Sequence, residues 1–180
     1  MALAEAILVC LTERPMSGYD LAKYFDASIG FFWRSSHQQI YRELGKLREK
    51  GYVSSQEVEQ DGKPDRITHT VTPVGRAALY EWSKRPTRHP SIKDEMFVKF
   101  YALDSIDMEA FKAQLSNRIT LHEERLSQYL RIKERFYDGK TLNLNQQGKL
   151  IALEMGIDGE RQNIRQIEEA MTKVAEVNRL

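Results

Sequence analysis

From Met108 to Phe136, and again from Leu150 to Val174, apolar residues recur at spacings of three, four or their sum. Phe111, Leu115, Ile119, Leu126 and Tyr129 carry the first stripe with Met108 and Phe136, and His122 falls on it; Leu153, Ile157, Ile164, Ile167 and Met171 carry the second with Leu150 and Val174. This period predicts two amphipathic helices separated by a polar break at 138–147. Each extends about 45 Å at about 1.5 Å per residue, which is long for a unit of about 90 residues. Folding back on each other covers one face, and pairing with a second copy covers the rest, so these ten residues are expected to build a homodimer. A monomeric helical hairpin is the alternative, and it leaves more apolar area exposed. Gly148, Gly156 and Gly159 weaken the second helix or mark close helix approaches.

The N-terminal half has a different grain. Leu3, Ile7, Leu8 and Leu11 share one face of a helix that Pro15 ends. Ser17 caps a second helix carrying Leu21, Tyr24, Phe25 and Ile29, which stops near Gly30. The aromatic link Phe31-Phe32-Trp33-Arg34 leads to a third helix with Ser35 or Ser36 as its cap, Ile40, Leu44 and Leu47 as its buried stripe, and Gly51 as its stop. The period then changes from 3.6 to 2: Tyr52 to Gln60 and Arg66 to Thr72 read as strands joined by a polar tip, Asp61 to Asp65. Thr72-Pro73 opens a fourth helix through Ala77, Leu79, Tyr80 and Trp82. Helix, helix, helix, hairpin, helix is the order of a winged helix-turn-helix. The expected fold is therefore mainly α with a small β-hairpin: a winged helix-turn-helix over residues 1–83, a Pro-containing linker over 84–91, and a long-helix dimerisation domain over 92–180.

Net charge is only +1, and neither half is strongly polarised, with 13 Lys/Arg against 11 Asp/Glu in residues 1–90 and 14 against 15 in 91–180. Nucleic-acid binding therefore requires local charge. Between Phe31 and Lys50 the cations Arg34, Arg42, Lys46, Arg48 and Lys50 face only Glu43 and Glu49. The single cysteine, Cys10, lies in the apolar run Ala6 to Leu11, which excludes an internal disulfide and fits a reducing, cytoplasmic compartment. No N-terminal stretch is long enough for a signal peptide or membrane span. The four histidines are scattered, and metal-ligand spacing, Gly-rich phosphate loops and nucleophile motifs are missing from the sequence, so neither enzymatic activity nor a metal or cofactor is expected.

The segments Ala-Ile-Leu-Val-Cys-Leu with Ser-Gly-Tyr-Asp-Leu (within 6–21), His-Gln-Gln-Ile-Tyr-Arg-Glu-Leu-Gly-Lys-Leu with Lys-Gly-Tyr-Val (within 37–53), and Asp-Gly-Lys-Pro-Asp-Arg with Thr-Pro-Val-Gly-Arg (within 61–76) resemble the PadR family of bacterial winged-helix regulators. Ser-Ile-Gly-Phe-Phe-Trp (28–33) and Arg-His-Pro-Ser-Ile-Lys-Asp-Glu (88–95) are similar to its AphA-like subgroup. The resemblance implies a dimeric transcription regulator that binds double-stranded DNA, its long C-terminal helices pairing antiparallel. It also implies a DNA contact for the Tyr41 hydroxyl; as a residue on its own, Tyr41 reads equally well as a packing aromatic.

In a helix-turn-helix the second helix of the pair enters the major groove with its first turn at the base edges. Ser36, His37, Gln38 and Gln39 form that turn, and His37, Gln38 and Gln39 are the base-reading candidates because glutamine amides pair with adenine and histidine reaches single acceptors. Arg42 and Lys46 fall opposite the buried stripe and are expected to hold phosphates. Lys63 and Arg66 place cations on the wing. Two-fold symmetry predicts a partly palindromic operator. A winged helix that docks another protein without touching DNA is the competing reading, and it would expose apolar residues where this chain has Gln, His and Arg. Some PadR-like proteins bind aromatic effectors between their two domains; Phe31, Phe32, Trp33, Phe97, Phe100 and Tyr101 are the residues that would line such a space. The same aromatics serve as core without a ligand, and no effector is indicated.

Overall fold

The computed structural model describes residues 2–58, 66–87 and 93–177, and the chain divides into two compact units, Met1–Pro90 and Ser91–Leu180. The first unit runs α1 (Ala2–Glu13), β1 (Met16–Ser17), α2 (Gly18–Asp26), a 3-10 turn (Ile29–Phe31), α3 (His37–Glu49), β2 (Val53–Val58), β3 (Arg66–Val71) and α4 (Pro73–Ser83). Ile7, Leu8 and Leu11 of α1, Leu21 and Phe25 of α2, and Ile40, Leu44 and Leu47 of α3 close one core with Met16, Val53 and Val71. Each such side chain contributes about 1.5–3 kcal/mol on burial. Cys10 is 1% exposed within this core.

Two details depart from the sequence reading. α2 ends at Asp26, because the Ser28 hydroxyl donates to the Tyr24 carbonyl in place of the Ser28 amide, which bonds to Phe25 instead, so Ile29 packs from a separate 3-10 turn. Met16 and Ser17 form a short strand that pairs antiparallel with β3 (Met16 opposite His69), giving a three-stranded sheet of order β1-β3-β2. Two residues carry too little alternation to announce a strand. The β2–β3 hairpin runs from Val53 opposite Val71 to Val58 opposite Arg66. Its tip, with Lys63, lies outside the described residues.

α3 is stopped as its glycine predicts. Gly51 takes φ of 69°, and the Tyr52 amide reaches back to the Leu47 carbonyl at 2.9 Å. The same corner seats α4: Thr72 caps it by accepting from the Gly75 amide at 3.1 Å, while its hydroxyl donates to the Gly51 carbonyl at 2.7 Å. Gly75 lies so near the Tyr52 backbone that a Cβ there would fall 2.2 Å from the Tyr52 carbonyl oxygen.

The second unit holds α5 (Glu95–Phe100), α6 (Met108–Phe136, 29 residues) and α7 (Leu144–Val177, 34 residues). α5 is short, because Asp94 caps it and turns follow Phe100. α6 starts on Asp107, which accepts from the Ala110 amide at 3.0 Å, and stops before Gly139, which has φ of 69°. α7 begins inside the stretch read as a polar break. Asn143 and Gln146 cap each other's backbone amides, at 2.9 and 3.0 Å, so polar residues start the helix. Among the described residues no helix is long and apolar enough to cross a membrane.

α6 and α7 pair with each other, and the ten stripe residues take up that task. Phe111, Leu115, Tyr129, Leu153, Ile157 and Ile167 are buried within one chain, and Ile119, Leu126, Ile164 and Met171 are half-buried. The Phe111–Leu115–Ile167 cluster also receives Met96 and Phe100, the latter edge-on to Phe111 at 5.1 Å between ring centroids. Charged links bridge the two helices: buried His122 pairs with buried Glu160, and Lys133 meets Glu154 at 2.7 Å. Left exposed are Leu121, Leu130, Leu144, Ile151 and Met155, outside both stripes, and Phe136 at the end of the first. Gly148 and Gly159 face open space within this chain, so neither marks a close approach between its helices.

Two glycines test this packing in opposite directions. Gly75→Ala is expected to cost about 2 kcal/mol through overpacking. Gly45→Ala, on α3 with nothing within 4 Å of the new Cβ, is expected to stabilise by about 0.5–1 kcal/mol through helix propensity. Urea denaturation midpoints check both, and an unchanged midpoint for Gly75→Ala would contradict the close approach.

Candidate nucleic-acid interface

α3 turns one face inward and one outward. Ile40, Leu44 and Leu47 are 0%, 4% and 2% exposed, so helical geometry puts Gln38, Tyr41, Arg42 and Lys46 on the solvent side. The first turn is more occupied than its composition suggests. Ser36 accepts from the Gln39 amide at 3.2 Å while the Gln39 side-chain oxygen accepts from the Ser36 amide at 2.9 Å, a reciprocal capping box. Ser35 donates to that same oxygen at 3.1 Å. Ser36 and Gln39 therefore hold the helix start. The pattern Ser-x-x-Gln was legible in the sequence as a capping signature and competes directly with base reading.

His37 is held differently. Its Nε2 lies 2.7 Å from the carboxylate of Asp26, the last residue of α2, with both side chains about half exposed. No sequence signal links positions eleven apart across the turn. Tyr41 combines both of its expected characters: its ring rests on Gly18, where a Cβ would fall 2.7 Å from the ring, yet the residue is 44% exposed. Gly18 thus supplies the seat for Tyr41. Lys46 is bonded to Glu43 at 3.1 Å, which offsets part of its charge. Gln38 and Arg42 are exposed and have no side-chain partner among the described residues.

The wing stem continues from this helix. His69 on β3 is buried, its Nδ1 2.9 Å from the Ser55 hydroxyl on β2. Burial, and then the positive charge of Arg48, hold its pKa below the ordinary 6.5. Arg66 begins β3 opposite Val58. Of the aromatics between α2 and α3 and those on and just after α5, Phe32, Trp33, Phe97 and Tyr101 are exposed, so core packing accounts for Phe100 but not for these four.

Residues 7–81 match the family model described as the transcriptional regulator PadR-like family, and residues 92–175 match the model described as virulence activator alpha C-term. A probable transcriptional regulator of Mycobacterium tuberculosis is 33% identical, with the alignment covering 98% of this chain and 99% of the relative. This chain belongs to the PadR-like family of transcriptional regulators. Two solved structures frame this PadR-like regulator. The Vibrio cholerae virulence activator AphA has a TM-score of 0.80 at 31% identity, covering 97% of this chain and 99% of its own, which supports the AphA-like subgroup. Bacillus subtilis PadR, solved in complex with operator DNA, has a TM-score of 0.83 at 25% identity, covering 96% and 97%.

In this PadR-like regulator the depressed pKa of His69 makes stability pH-dependent with a definite sign. The unfolded chain takes up a proton near pH 6.5 and the folded chain only at lower pH, so stability is full above that value and is lost as pH falls below it. His69→Gln is expected to flatten the melting-temperature profile on the acid side, and a slope identical to the wild type would exclude His69 as its source.

Proposed function

We propose that this PadR-like regulator binds a partly palindromic DNA operator as a homodimer, placing the first turn of α3 in the major groove of each half-site. The observation that carries the reading is α3 itself: its apolar spine is buried, and it presents Gln38, Tyr41 and Arg42 on an exposed outward face. The Bacillus subtilis PadR structure supports it, since that relative is held with operator DNA. Gln38 is the base reader of the turn, able to engage adenine through both amide groups. Arg42 and Lys46 contact phosphates, with Lys63 and Arg66 doing so from the wing. Ser36 and Gln39 act through the helix start they cap. The regulator works in the cytoplasm and catalyses no reaction.

The second copy docks on the exposed apolar residues that the hairpin leaves over. Leu121 and Leu130 on α6 and Ile151 and Met155 on α7 are between 39% and 72% exposed. The buried stripe residues support this surface from beneath by holding α6 against α7. Pairing puts two α3 helices and two wings on one duplex, with half-site centres about one or two helical turns apart. Two linked weak contacts then act as one strong one.

Gel retardation across a salt series tests the DNA contact. Arg42→Ala is expected to reduce the log–log salt slope by about 0.9 with sequence preference retained, whereas Gln38→Ala relaxes discrimination at its base pair by about 1–3 kcal/mol. If no duplex is retarded in a salt-sensitive way, the winged helix is a protein-docking module. For the dimer, Ile151→Glu with Met155→Glu is expected to yield monomer in sedimentation equilibrium at unchanged helix content; persistence of the dimer would place its interface elsewhere.

A further inference from the structure

One side-chain contact joins α2 to α3 across the turn without serving the cap or the core. Asp26 ends α2, His37 begins α3, and the imidazole Nε2 lies 2.7 Å from the Asp26 carboxylate oxygen. A carboxylate only accepts, so Nε2 carries the hydrogen. That leaves Nδ1 as the ring's second polar atom, and no contact to it is present among the described residues. The difference from Gln39 is chemical: the capping box and Ser35 occupy the Gln39 side-chain oxygen, whereas imidazole keeps a nitrogen in reserve.

We propose that Asp26 is a positioning residue for DNA recognition, fixing the His37 ring across the turn so that Nδ1 is the atom offered to the operator. This rests on the DNA-binding reading above. With Nε2–H committed to Asp26, the ring presents a lone pair at Nδ1, which repels a phosphate oxygen and accepts from the exocyclic amino group of an adenine or a cytosine. Asp26 is the charged group from α2 at ion-pair distance; Lys23 of α2 lies over the Tyr19 ring, and Arg34, Tyr41 and Arg42 make no contact with the imidazole among the described residues. Without Asp26 the neutral ring would choose either tautomer, so Nδ1 would no longer be held as the acceptor.

The sign of one substitution separates this role from that of an ordinary surface acid. Removing a negative charge beside DNA phosphates should tighten binding when the acid has no other task. Asp26→Asn in the full-length chain is instead expected to weaken binding about tenfold to a duplex that the wild type selects from a randomised pool, the scale of one charge-assisted hydrogen bond. Binding to an unselected duplex of equal length should hold or strengthen. In the His37→Gln background, Asp26→Asn should cost nothing further. Both side chains are half exposed, so melting temperatures should stay close to the wild type. Equal or tighter binding of Asp26→Asn to the selected duplex overturns the proposal, as does a loss that persists undiminished beside His37→Gln. A wild type that selects no duplex overturns the DNA-binding reading itself and this inference with it.

Discussion

Burial of Ile40, Leu44 and Leu47 against α1 and α2 decides what the N-terminal unit can do. A helix has one rotational setting that buries a given stripe, so hiding these three side chains determines which others meet solvent. Gln38, Tyr41 and Arg42 face outward because the spine faces inward. The capping box, the Gly51 stop and the Gly75–Tyr52 approach then hold the helix at both ends and seat α4 against its exit. Chemistry on the outer face is a consequence of packing on the inner one.

In the C-terminal unit, two long stripes close on each other, and the hairpin they form covers most of what the sequence offers for association. What remains on its surface is a sparser set, Leu121, Leu130, Leu144, Ile151 and Met155 outside the periodic positions, with Phe136 at the end of the first stripe. The buried His122–Glu160 pair lies among these apolar layers. Sliding the helices would leave each of these buried polar groups without its partner at considerable cost, so the pair resists a shift of register.

Much of the fold was legible because it obeys local rules. The helix starts at Ser17, Ser36, Thr72 and Asp107, the stop at Gly51 and the change of period after it all rest on residue types whose backbone preferences act over four or five positions. The failures share a cause. β1 is two residues long and exists only because β3 lies beside it. α7 starts early because Asn143 and Gln146 cap each other inside a stretch whose polarity resembled a loop. The first turn of α3 was the hardest segment, since Ser, His and Gln suit capping and base recognition equally well, and only their neighbours decide between the two.

Taken alone, the amino-acid sequence determined the order of the elements, the winged-helix class, the family resemblance and the buried spine of α3, because these follow from periodicity and from caps and turns written in adjacent residues. Tertiary structure decided which functional groups stay available. Nε2 of His37 is taken by Asp26, and the Tyr41 ring by the bare backbone of Gly18. In the C-terminal unit it decided which apolar residues close the hairpin and which face out. Hydrogen bonds and van der Waals contacts between residues eleven to several tens of positions apart have no period, so they become visible only once the chain has brought them together.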